Sequence, residues 1–401
     1  MNDRAVALLE QYDCEVLRTR KGRGSILCDT DKGTLAFLEY RGNEKRLAVQ
    51  NALLEQVNSW GWVGTERILP SREGALWVKD GDGTAYILKT FCEGRECNIR
   101  DREECLEAVR LLAKLHCCLE RNAARLEENA KKTAASGEKW MLLQKEDTED
   151  FEEKEVGQKT EQSSEAGPAK NVEQGSKVDS ERNLEQNPQK QIRKTSKEEE
   201  EEELLSRHTD WLEECKRHNR ELRKIRRYLK KKGQKNSFER CLFVELDRFI
   251  EQAEEVTCRW EEYLKTNPIP SENSLWCHGD YQYHNIVKGE DGWHIVNFEH
   301  CCQDNPVKDL YLILRKLLEK CSWQQHTGRE LMSAYEAIRP LSEYSKMELK
   351  LRLSYPEKFW KIANFYYGSN KAFIPVKNME KLQKLLEQEE GKQRFLLQIF
   401  P

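Results

Sequence analysis

The 401-residue chain is 38% hydrophobic and nearly balanced in charge, with 67 Lys+Arg against 71 Asp+Glu and a net charge of −4. That length and apolar content support a large core or two joined lobes, and the balance excludes a surface built overall for nucleic acid or an anionic membrane. The opening MNDRAVALLEQYDCEVL has no long apolar run and no small-residue cleavage site, so no signal peptide is expected, and no window is apolar enough to span a bilayer.

Residues 1 to about 121 alternate short β-like runs with turns. CEVLRT and SILCDT flank Lys21-Gly22-Arg23-Gly24, a hairpin connection, and TLAFLEY follows a turn at Gly33. Asn43 is placed to cap a helix carrying Leu47, Leu54 and Val57 on one side. ERIL precedes ALWVK and AYILKTF, which Asp80-Gly81-Asp82-Gly83 joins as a second hairpin. After CEGREC, the spacing of Leu106, Val109, Leu112, Ala113 and His116 predicts a helix over 103–121. The expected fold class is α+β, with a β-rich lobe over 1–95 feeding a helical lobe over 96–121 and 206–401.

Between them, 122–205 is rich in Glu, Lys, Gln, Ser and Asn and lacks a sustained apolar period. Such a segment buries too little to offset its chain entropy, so a disordered charged insert is expected there. Helices are then expected over 211–232, over ERCLFVELDRFIEQAEEVTCRWEEYLK, and at 307–319, 332–339, 359–366 and 379–389. The first has an apolar stripe through Trp211, Cys215, Leu222, Ile225 and Leu229, and a basic face from Lys216 to Lys232. That face suits a polyanion-binding module. The six glutamates Glu198–Glu203 lie just before it, and the expectation is a solvated, self-neutralised surface, with nucleic acid not a partner. Fourteen cysteines include no Cys-x-x-Cys pair, so they are expected to be reduced core residues and not zinc ligands.

The chemistry concentrates in WCHGDYQYHNIVKGEDGWHIVNFEH, Trp276 to His300. Two short strands would bring Asp280, Asn285 and Asn297 together. Phosphoryl transfer needs a carboxylate facing the attacking hydroxyl, which Asp280 supplies, and oxygen ligands for a metal, which Asn285 and residue 297 would supply. The motif HGD-x-x-x-x-N, an apolar strand and then N-F-E resembles the aminoglycoside phosphotransferase and choline kinase branch of the protein-kinase-like fold. Within that branch, LEYRGNEKRL, HGDYQYHNIV and IVNFEHCCQDNPVKDLYLILRKLLEK are similar to the spore coat protein S (CotS) family. The resemblance covers nearly everything outside the insert.

The resemblance implies a two-lobed kinase-like fold, with ATP and Mg2+ as cofactors if any are bound. It also implies a mother-cell cytoplasmic origin, later residence in the spore coat, and other coat proteins as partners. Two departures stand out. The strand lysine that holds nucleotide phosphates is replaced by Leu38, leaving Glu44 or Glu55 without its partner. The metal-bridging aspartate is the amide Asn297. Glu299 is a substitute carboxylate if the strand stays regular, since residues two apart then share a face. His278 is read as a scaffold bracing the loop, Asp309 as bracing the next helix, and Gly22 and Gly24 as either phosphate cradle or plain turn. The expectation is a structural, scaffolding pseudokinase. The alternative is an ATP-dependent phosphotransferase acting on a hydroxyl or sugar-like acceptor with Asp280 as base.

Overall fold

A computed structural model describes residues 7–121, 211–268, 270, 275–368 and 375–400, all within one compact unit of the chain. The insert expected at 122–205 lies outside the described residues.

The N-terminal sheet runs β1 (Val16–Lys21), β2 (Ile26–Thr30), β3 (Gly33–Glu39), β7 (Ala85–Thr90) and β5 (Ile68–Leu69), all antiparallel, with β6 (Val78–Lys79) also pairing β7. Both expected hairpins form. Gly22 N–H donates to Ser25 O at 2.9 Å, and Asp80 Oδ1 accepts from Asp82 and Thr84 amides at 3.0 and 2.9 Å. Period-two alternation sorts the two central strands. Leu35, Phe37, Tyr86 and Leu88 face an outer cluster with Leu9, Tyr12 and Cys28. Ala36, Leu38, Ala85, Ile87 and Lys89 take the opposite face, toward helix α1 (Glu44–Trp60) and the cleft beneath the sheet. Asn43 caps α1 as expected, accepting from Arg46 N–H at 2.8 Å.

A second, mixed sheet was not expected. Its order is β4 (Gly64–Thr65), β11 (Trp293–Ile295), β10 (Ile286–Lys288), β8 (Arg95–Glu96). The expected β10–β11 hairpin forms, flanked by strands far away in sequence, parallel at β4 and antiparallel at β8. The second strand is shorter than expected: after Ile295 the chain leaves extended geometry, and Phe298–His300 is a 3-10 turn. A further pair joins β9 (Leu275–Cys277) to β12 (Cys302–Asp304).

The helices are α2 (Arg102–Arg121), α3 (Trp211–Lys231), α4 (Ser237–Thr266), α5 (Val307–Lys320), α6 (Gln325–Glu336), α7 (Glu343–Ser354), α8 (Glu357–Gly368) and α9 (Pro375–Ile399). Helix α7 was not expected. The main core joins α1, α2, α5 and α6 with the β9–β11 region, and a second cluster joins α3, α4, α8 and α9. All fourteen cysteines are free thiols, most of them buried. No helix among the described residues is long and apolar enough to cross a membrane.

Candidate functional site

The loop after β9 is fixed from below by helix α5. Asp309, fully buried, accepts from His278 N–H at 2.7 Å and Gly279 N–H at 2.9 Å. Burial alone would raise its carboxyl, but the hydrogen bond from His116, helped by His278, holds it below the ordinary value. Asp309 thus braces the loop as well as sitting in the first turn of its helix. Gly279 adopts φ +80°, and a Cβ there would stand 1.9 Å from His300 O, so only glycine fits between the two passes of chain. His278 accepts at Nδ1 from Asp280 N–H at 3.2 Å, which leaves Nε2 to donate to Val296 O at 3.0 Å.

His116, Cys277 and Asp309 cluster with their ligand atoms within 4.8 Å of one another. Each is already engaged: His116 Nδ1 with Tyr335 OH at 2.8 Å, Asp309 with two amides, and Cys277 Sγ donating to Asp304 O at 3.3 Å. Burial pushes the Cys277 thiol well up, so it is no thiolate. The trio is a hydrogen-bonded brace.

Asp280, Asn285 and Asn297 do come together, joined by a directed chain of bonds. Lys89 Nζ donates to Asn297 Oδ1 at 3.3 Å, and Asn297 Nδ2 donates to Asn285 Oδ1 at 2.9 Å. Asn285 Nδ2 then donates to the Asp280 carbonyl and Oδ2 at 2.8 and 3.1 Å. The two ends fix both amide orientations, because an ammonium only donates and a carboxylate only accepts. Gln282 Nε2 donates to the other Asp280 oxygen. Asn297 itself sits in the left-handed region, φ 67° and ψ 58°.

Lys89 corrects the expectation of a lost cation. Leu38 does occupy the expected position on β3, paired with Ile87 and packed against the core. The lysine instead stands on the adjacent strand, directly opposite Ala36. It is 5% exposed, and its ammonium lies 3.1 Å from Glu66 Oε1 and 2.5 Å from Glu299 Oε1. Burial would lower its pKa, but Glu66 and then Glu299 overcome that and raise it to about 12. Glu66, in the β4–β5 connection, also accepts from Asn297 N–H at 3.0 and 2.9 Å and from Phe298 N–H at 3.3 Å. Arg46 of α1 donates to Glu299 O at 2.9 Å. Glu299 reaches the site although the strand is broken there, because the 3-10 turn carries it under Lys89.

Glu44 and Glu55 are both exposed, and Glu55 accepts from Asn51 at 2.8 Å, so neither is the lysine's partner. The polar side chain that α1 buries completely is Gln50. Sequence reasoning missed Lys89 and Glu66. The available signal was a lysine inside the otherwise apolar AYILKT. Gly22 spends its amide on the hairpin turn, Gly24 is open to solvent at φ +74°, and Arg23 between them reaches Glu96 at 3.5 Å. The basic face of α3 is partly neutralised by its neighbours: Arg223 pairs with Glu254 at 2.6 Å, Arg226 with Asp247, and Lys216 with Glu213 and Glu261. The expected neutralising run Glu198–Glu203 lies outside the described residues.

The sequence profile of the phosphotransferase enzyme family matches residues 74–341. Spore coat protein S of Bacillus subtilis (strain 168) is 27% identical over 160 residues, a match covering 37% of this chain and 45% of that protein. An aminoglycoside phosphotransferase from Alicyclobacillus acidocaldarius is similar with a TM-score of 0.65 at 16% identity, over 98% of this chain and 94% of that one. An AMP-bound spectinomycin phosphotransferase is similar with a TM-score of 0.54 at 9% identity, over 97% and 96%. At those identities the likeness is one of fold: a two-lobed, kinase-like α+β architecture.

Proposed function

This chain belongs to the phosphotransferase enzyme family, and from that premise we propose that it is a spore-coat-associated, CotS-type member whose role is structural and not catalytic. In this reading it divides into a β-rich lobe over 1–95 and a helical lobe over 96–121 and 206–401. It is made in the mother-cell cytoplasm, and its partners are other coat proteins. The coat assignment follows the similarity to spore coat protein S.

The loss of catalysis rests on one observation. Asn285 Oδ1 and Asn297 Oδ1 would have to converge on a divalent cation, and they do not: Asn297 turns its Nδ2 to Asn285 Oδ1 and its own Oδ1 to the Lys89 ammonium. Magnesium demands near-octahedral oxygen ligation at about 2.0–2.1 Å. These residues do not offer it unless both amides re-pair, so the site as built does not fit the metal the family's chemistry uses.

A second reading keeps Asp280 as the base of an ATP-dependent phosphotransferase for a hydroxyl or sugar-like acceptor. The half-buried Asp280 carboxylate favours it. Thermal melts with MgATP and a phosphate-transfer assay separate the two, because binding to the folded state must raise Tm by mass action. The structural reading expects no phosphate transfer that depends on Asp280. Turnover by the wild type that Asp280→Ala abolishes would overturn it.

A further inference from the structure

We propose that the Lys89 ammonium is the resident cation of the cleft, built into the chain where a kinase-fold enzyme would hold a dissociable metal. The inference deepens the non-catalytic reading and rests on it.

Three oxygens surround Lys89 Nζ: Glu66 Oε1 at 3.1 Å, Glu299 Oε1 at 2.5 Å and Asn297 Oδ1 at 3.3 Å. An ammonium has three protons and no acceptor. Three acceptors use all of them, so none is left to grip a nucleotide phosphate. This separates Lys89 from a phosphate-binding lysine that happens to lie one strand over. Two of the oxygens belong to Asn297 and Glu299, two of the three residues the sequence offers as metal ligands. The third belongs to Glu66, which is almost fully buried and also holds the backbone of Asn297 and Phe298.

The charge balance points the same way. Glu66 and Glu299 are two carboxylates facing one point, 3% and 24% exposed at the side chain, and without a cation between them their like charges would repel at a cost. Lys89 removes that cost while remaining covalently attached to β7. It also joins the two halves of the molecule, since Lys89 and Glu66 come from the sheet side and Asn297 and Glu299 from the turn after β11. A metal bridging those groups would do the same job, but it would come and go with its concentration.

Emptying the cage tests this. Lys89→Ala is prepared in EDTA and titrated with MgCl2 or MnCl2, with no nucleotide present, while Tm is followed. Without metal the variant should melt well below the wild type, and millimolar divalent cation should raise its Tm by about 5 °C or more. Wild type and Lys89→Arg should not respond, and Lys89→Ala/Glu299→Gln should lose the response. A folded Lys89→Ala indifferent to both metals would overturn the proposal.

A second measurement does not need that variant to fold. Mn2+ added to the 15N-labelled wild type should leave the Asn285 and Asn297 side-chain amide signals sharp. Broadening of both at sub-millimolar Mn2+ would show that a metal displaces the lysine, and would overturn the proposal. Phosphate transfer by the wild type would sink the structural reading, whereas these metal titrations contain nothing to transfer, so the two failures are told apart.

Discussion

Asn297 combines two requirements that few residues meet. Its backbone is left-handed, a region where asparagine is among the least penalised side chains because it can bond locally. Its amide must accept on one side and donate on the other. Aspartate shares the backbone tolerance but cannot donate to Asn285 Oδ1, and it would bring a third carboxylate toward Lys89. Asn297→Asp is therefore expected to cost about 1–3 kcal/mol in EDTA, the scale of an orphaned buried hydrogen-bonding group. Added Mg2+ should recover little of that loss, because Lys89 still fills the point the metal would take. Chemical denaturation with and without Mg2+ checks both. The amide was legible as a departure from the family pattern. That its two ends are already occupied was not, because Lys89 lies 208 positions earlier in the chain.

At the level of elements, the chain's exit from the sheet is clamped by Glu104 in the first turn of α2. Its carboxylate pairs with Arg95 of β8, accepts from Asn98 N–H at 2.8 Å and meets Lys288 of β10 at 3.3 Å. The bond from Arg95, against the opposing effect of burial, sets the balance and brings its pKa from 4.5 to about 2. A carboxyl depressed in the folded state adds stability that is complete above its unfolded pKa and is lost as pH falls through the folded one. The window here is pH 4.5 down to about 2. Glu104→Gln should lower stability at pH 7 by about 1–2 kcal/mol, since Arg95 is half exposed and well screened. It should also flatten the acid limb in that window, which urea melts at a series of pH values would show. Helix α7 carries a different lesson. It buries Ser345, Glu348 and Arg352, with Arg352 Nε donating to Glu348 Oε1 at 2.7 Å and Asn305 donating to its other oxygen at 2.7 Å. A helix whose inward face is partly polar gives no apolar period, so periodicity missed it. Helices α2, α3 and α5, with apolar stripes, were placed to within a residue or two.

Across the whole molecule, the α+β architecture and the site loop followed from local signals: turn residues, strand alternation, helical stripes and one spaced motif. The small mixed sheet and the cleft ion cluster did not, because both depend on pairing between segments some 200 residues apart, which no local pattern encodes. The same long-range contacts hold the two halves against each other, through Glu66 to the Asn297 and Phe298 amides and Arg46 to Glu299 O.

Tethering Lys89 to β7 has a further consequence. A bound ion carries a dissociation constant, so it is shed by dilution, by chelators and by competition from other ions. A side chain has none of these exits, and its local concentration is set by covalent geometry alone. Wild-type protein dialysed against excess EDTA should keep its melting temperature, and a drop of several degrees would show that an exchangeable ion was holding the cleft after all. The site, once made, stays closed through any change in the surrounding salts mild enough to leave the fold intact.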